Sequence, residues 1–163
     1  MAKVVPGNSM GKPRLEVVVR TAREADLPGI LSVYSSAGLE KRGSLELADA
    51  RRLFSKISSY PFCKLYVAEA EGQLLGSFEL LIMDNFANGG LRSGLVEDVA
   101  VAREAQGRGV GKAMMLFAME ECRREGCYKM ALSSNEIRVE AHAFYESLGF
   151  TRHGFSFRVE LSR

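Results

Sequence analysis

The chain has 163 residues, 47% hydrophobic and 26% charged, with a formal net charge of +2. That is the balance of one soluble globular domain, long enough to bury a core. It excludes bulk nucleic-acid binding, which wants a strongly basic stripe, and it holds no apolar run of membrane-spanning length.

Met1 to Pro13 carries Pro6, Gly7 and Gly11 and no long apolar stretch, which predicts a disordered lead-in rather than a signal peptide. Residues 14–163 then form a single domain. The β-branched run Arg14 to Arg20 predicts a first strand. A helix follows, opened by Thr21 or by Asp26 with Leu27-Pro28, and stopped at Gly38. Ser44 opens a second helix that ends before Pro61. Lys64 to Ala70, Glu71-Gly72 and Gln73 to Met83 predict a hairpin, and Asp84 to Ser93 a loop. A strand over about 94–101 leads into a glycine loop and a helix to about Glu125, closed by Gly126. Tyr128 to Ser133 predicts a fifth strand and Arg138 to Leu148 a last helix. Phe150 to His153 and Phe155 to Leu161 predict short terminal strands. This order, β α α β β β α β α β, implies an α/β (or α+β) fold, a mixed sheet with helices on both faces. Cys63, Cys122 and Cys127 are odd in number and lack C-x-x-C spacing, so they predict reduced thiols in the cytoplasm.

The glycine loop carries the chemistry. A strand ending at Val101, a polar turn and an apolar-periodic helix make an anion site from free N–H groups and the helix dipole. The nucleoside-triphosphate loop fails, because its first glycine falls on Gln106 and its hydroxyl on Ala113. The dinucleotide fingerprint fails, because its third glycine falls on Lys112. Gln106-x-x-Gly109-x-Gly111 resembles the pyrophosphate loop, [QR]-x-x-G-x-[GA], of the GNAT superfamily of acyl-CoA-dependent N-acetyltransferases. Gly94 to Val101 resembles the preceding strand of that family, and Ala141 to Phe150, with Phe144-Tyr145 and Gly149-Phe150, its last helix.

The resemblance implies a mostly antiparallel sheet whose fourth and fifth strands splay around the pantetheine arm of acetyl-CoA. It implies a cofactor-binding set of Val99, Ala100, Val101, Gln106, Gly107, Arg108, Gly109, Val110, Gly111, Lys112, Asn135, Phe144 and Tyr145. The backbones of Val99 and Val101 would bond the pantetheine amides. It also implies transfer of an acetyl group to a primary amine.

That reaction needs a neutral amine. A lysine-like amine is about one part in a thousand free base at pH 7, roughly 4 to 5 kcal/mol of barrier. Glu97 and Asp98 are adjacent carboxylates in an apolar strand, and alternation would set Glu97 beside Leu95, Val99 and Val101. Burial would raise its pKa toward a base's working range, with Asp98 supporting it or binding the amine. The bland alternative has one carboxylate cap a loop or pair with an arginine such as Arg92. Tyr145 is the candidate acid, since its family counterpart lies near the thioester sulfur; otherwise it is a core aromatic. Asn135 binds the cofactor arm or simply makes a turn.

No metal is indicated. His142 and His153 lack a ligand partner at i+4, although residues 132–145 also resemble aminoalkylphosphonate acetyltransferases, some of which use a divalent metal. No cysteine sits in a nucleophile motif, so direct transfer in a ternary complex is expected. The acceptor is expected to be a small-molecule amine, with a protein N-terminus or lysine as the alternative. A non-catalytic acyl-CoA sensor is the alternative of another class. No nucleic-acid or membrane partner is expected. The apolar tail Phe155, Phe157, Val159 and Leu161 could pair across a homodimer interface or lie inside the sheet.

Overall fold

The computed structural model describes residues 13–40 and 43–161. The lead-in expected over the first 13 residues therefore lies outside the described residues, save Pro13.

Five strands form one sheet in sequence order: β1 (Val18–Thr21), β2 (Cys63–Ala70), β3 (Gln73–Met83), β4 (Arg92–Val101) and β5 (Cys127–Leu132). The first three pairings are antiparallel and β4 with β5 is parallel. The four helices are α1 (Leu27–Ala37), α2 (Leu47–Ser58), α3 (Val110–Arg124) and α4 (Val139–Ser147). The fold class is thus the expected mixed sheet with helices on both faces.

Local chemistry sets the elements. Pro28 stands in the first turn of α1, and Gly38 ends the helix in the left-handed region at φ 70°. Asp26, just before α1, accepts from the Arg23 amide and pairs with Arg20 at 2.7 Å. Glu71 and Gly72, at φ 52° and 74°, make the two-residue turn that β2 and β3 need. Three expectations require correction. β1 is only four residues long, and 14–17 is irregular. α2 starts at Leu47 rather than Ser44. The terminal strands at 150–153 and 155–161 do not form: those residues have no strand partner.

α3 lays Val110, Met114, Met115 and Ala118 over Tyr66, Phe78, Leu80 and Val96. On the other face Leu27 and Ile30 of α1 and Ala50 of α2 cover Leu65 and Val67. Phe78 lies at the centre, stacked on Tyr66 with ring centroids 5.1 Å apart. After Cys122 no described residue reaches the fully buried core.

β4 lies close against α3 at Gly94. A Cβ there would overlap the Cys122 sulfur. Gly94→Ala should therefore cost about 1–3 kcal/mol in urea unfolding. Adding Cys122→Ala should recover most of that loss. An undiminished loss in the double variant would place the strain elsewhere.

β4 is also bent. Glu79 faces Glu97 and Ser77 faces Ala100, so Asp98 and Val99 together oppose Phe78. This β-bulge carries Asp98 at φ 49°, a left-handed conformation.

Candidate active site

The bulge changes which side chains share a face. Counting through the register, Glu97 stands with Leu95, Ala100, Ser77 and Glu79. Val99 and Val101, expected beside Glu97, fall on the opposite face. Glu97 is also exposed rather than buried, as is Asp98. The extra residue at the bulge breaks the two-residue period on which the expectation rested.

Glu79, directly opposite Glu97, is the residue that sequence reasoning missed. Its carboxyl is pushed above the ordinary range by burial, then by the charges of Asp98 and Glu97. Glu97, although its side chain is exposed, is partly desolvated by the protein around it, and that together with the Asp98 charge raises its pKa. Tyr34 of α1 closes the cluster from below: its hydroxyl meets Ser77, and burial with the charges of Asp98 and Glu79 pushes its pKa up. Arg92, the arginine named as an alternative partner, pairs instead with Asp84 and Glu125 at 2.8 Å each. Among the described residues no cation pairs with Glu79, Glu97 or Asp98. A carboxylate group of this kind accepts protons readily and attracts an ammonium. Glu79 had a signal in the sequence, a carboxylate inside the apolar run Phe78-Glu79-Leu80, but only the strand register sets it against Glu97.

The glycine loop lies at the end of the same strand. Gln106 folds back, its side-chain amide donating to the Val101 carbonyl at 3.2 Å. Gly107 and Gly109 take φ 77° and 94°, and a Cβ on either would meet nothing within 4 Å. The space above the loop is therefore open. α3 begins at Val110 with no side-chain cap, so the first-turn amides of Val110, Gly111 and Lys112 have no partner within the helix. Arg108 is braced by the chain ahead of β1: its Nε donates to the Pro13 carbonyl at 3.3 Å, and its own carbonyl accepts from Leu15 at 3.1 Å. Lys112 is exposed. Unpaired amides, a helix N-terminus and two cations fit a pyrophosphate.

Between loop and carboxylates the sheet opens. Parallel pairing of β4 with β5 ends at Val96 and Leu132, while β4 continues to Val101. The backbone from Glu97 to Val101 has no partner on the β5 side, which is the expected splay. Val99 and Val101 are half-buried along it and Ala100 is buried. A cleft edged by free backbone suits an arm carrying amides.

α4 reaches the start of α3. Phe144 sits over Gly111, where a Cβ would come within 3.2 Å of its ring. Tyr145 packs between Phe144 and Phe150, at 5.1 and 5.5 Å. Burial raises its phenol pKa, against a smaller opposing pull from Arg138. The phenol thus stays protonated at neutral pH and is available as a donor. Asn135 spends its side-chain oxygen on the Ile137 amide at 3.1 Å, and its carbonyl accepts from His142 Nε2 at 2.9 Å. This is the turn expected as the alternative. His142 is thereby a brace for α4.

A profile described as the acetyltransferase (GNAT) family matches residues 30–150. The chain belongs to this family. Its curated relatives include glucosamine 6-phosphate N-acetyltransferase of Trypanosoma brucei brucei, 36% identical over 154 residues, 90% of this chain and 97% of the relative. Among solved structures, a putative acetyltransferase from Agrobacterium tumefaciens is similar at a TM-score of 0.82 and 28% identity, covering 88% of this chain and 99% of its own. Glucosamine-6-phosphate N-acetyltransferase from Arabidopsis thaliana gives 0.78 at 26%, covering 90% and 99%. This GNAT-family chain is an N-acetyltransferase of the kind that modifies small-molecule amines. Enzymes of the family draw the acetyl group from acetyl-CoA. No helix among the described residues is long and apolar enough to cross a membrane.

Proposed function

We infer that this acetyltransferase moves an acetyl group from acetyl-CoA to the primary amine of an amino sugar phosphate, by direct transfer in a ternary complex. The observation that carries this is the shared strand. β4 offers an open backbone edge and an anion-binding loop at one end, and Glu97 opposite Glu79 at its bulge. The glucosamine 6-phosphate relatives support the acceptor class.

The loop from Gln106 to Lys112 holds the pyrophosphate, and the backbone near Val99 holds the pantetheine arm. Glu79, Glu97 and Asp98 attract the ammonium form of the acceptor. Glu97 takes a proton from the nitrogen, which attacks the thioester carbonyl carbon. The nitrogen–carbon bond forms as the carbon–sulfur bond breaks, the Tyr145 phenol gives its proton to the departing sulfur, and the second proton leaving the nitrogen passes through solvent to restore the phenol, while Glu97 releases its proton to water. Fixing both substrates in one cleft supplies much of the remaining acceleration. A reducing cytoplasmic compartment agrees with three unpaired thiols.

The test is thiol release from acetyl-CoA against a panel of amines. Release should depend on the amine and be fastest with glucosamine 6-phosphate. Tyr145→Phe should lower kcat about a hundredfold, the low end for a lost general acid, with acetyl-CoA binding retained. Full turnover in that variant removes the acid role. Tight acetyl-CoA binding with no release for any amine would favour a sensor.

A further inference from the structure

The chemistry above leaves Tyr34 unused. This α1 residue is half-buried and packs against both core clusters, so its ring belongs to the interior. Phenylalanine would fill that space equally well. The hydroxyl is what needs an explanation. It meets Ser77, and Glu79 and Asp98 lie near enough to act on it through their charges without bonding to it.

Counting hydrogens fixes the direction of the Ser77 contact. A serine hydroxyl has one proton to give. Ser77 is fully buried, and its Oγ donates that proton to the Tyr66 carbonyl at 3.0 Å. The Ser77 oxygen therefore accepts from Tyr34, and the Tyr34 hydroxyl donates. The Tyr34 oxygen keeps its lone pairs beside a group of carboxylates. An alkylammonium brings three N–H donors to such a place. Glu97 and Glu79, opposite each other on β4 and β3, supply acceptors for two of them. The Tyr34 oxygen, reaching the same cluster from α1, supplies the third. We propose that the Tyr34 hydroxyl oxygen accepts a hydrogen bond from the nitrogen of the acceptor and thereby selects primary amines over N-methylated ones. Once Glu97 has taken its proton, a primary amine keeps two N–H groups, one for Glu79 and one for Tyr34. An N-methyl amine keeps one, and an acceptor is left empty. A site built to bond an N–H rejects the analogue that lacks it. The proposal rests on the reading of Glu79 and Glu97 as the place where the amine binds.

The test measures thiol release from acetyl-CoA with glucosamine 6-phosphate and with its N-methyl derivative, in the wild type and in Tyr34→Phe. The wild type should prefer the primary amine by at least about tenfold in kcat/KM. In Tyr34→Phe that value should fall about tenfold or more for the primary amine, the loss of a hydrogen bond to a charged group. The value for the N-methyl amine should hardly move, so the preference collapses. KM for acetyl-CoA and Tm should stay as in the wild type, because the ring keeps its place in the core. The bulk of the added methyl weighs on both enzymes alike, so the change in preference isolates the hydrogen bond. An equal loss for both amines overturns the proposal, since the hydroxyl then only supports the cluster. No loss for either overturns it too, since the hydroxyl then does not touch the nitrogen. Release with another amine but not with glucosamine 6-phosphate removes the acceptor class alone, and the same comparison is made on that amine and its N-methyl derivative. Release with no amine removes the transfer reading and this proposal with it.

Discussion

Glu97→Gln should lower kcat/KM for the amine about 10²- to 10⁴-fold at pH 7, the range for loss of a positioned general base. Gln keeps the shape and loses the proton-accepting charge. In the wild type, kcat/KM should fall as pH drops through the raised pKa of Glu97, because protonation fills the base. Partial desolvation and the Asp98 charge set that limb above the ordinary carboxylate range. In Glu97→Gln the limb should vanish, leaving only the ionisation of the amine itself. Glu79→Gln should act differently, raising KM for the amine with the limb retained, since Glu79 attracts the ammonium without taking its proton. If the limb survives in Glu97→Gln and disappears in Glu79→Gln, the base is Glu79.

The same cluster has a stability consequence with a definite sign. A carboxyl whose native pKa lies above its unfolded value binds protons more tightly in the folded state. Stability then declines as pH rises from the unfolded pKa through the native one, and the cost is present in full above the native pKa. Glu79 is raised by burial, Asp98 and Glu97, so it carries such a cost. Glu79→Gln should therefore melt at a higher temperature than the wild type at pH 7 while binding the amine less well. This exchange of stability for function is common at working sites.

Phe78→Ala should cost about 3–5 kcal/mol of stability, the range for truncating a buried aromatic. Phe78 is wholly inaccessible and stacks on Tyr66, which in turn meets Phe117 of α3 edge-on at 5.2 Å. Removing the ring opens a cavity where sheet and helix join. For a domain of this size each kcal/mol lost lowers Tm by about 2–4 °C, so thermal unfolding reads the change directly. Phe78 also faces the bulged pair Asp98 and Val99. The variant should accordingly lose activity below its melting temperature, because the bulge loses its backing. A loss of stability under about 1 kcal/mol would show that the site collapses to fill the space.

What the sequence determined alone is what depends on neighbours in the chain. Gln106, Gly107, Gly109 and Gly111 announce an anion loop, because left-handed backbone and a helix start are local properties. Glu71-Gly72 announces a tight hairpin for the same reason, and the order of elements led to the sheet with its two helical layers. Side-chain positions across strands depend on register, and register is a property of two strands. A single inserted residue at Asp98 moved Val99 and Val101 off the face of Glu97, and no period read along β4 alone reveals it. Glu79 entered the site only when the hairpin partner was aligned. The tail from Phe155 to Leu161 has a strand's alternation but no strand, because a strand exists only when an edge is there to receive its hydrogen bonds. Composition decides what a segment is able to form; the edge it meets decides whether it does.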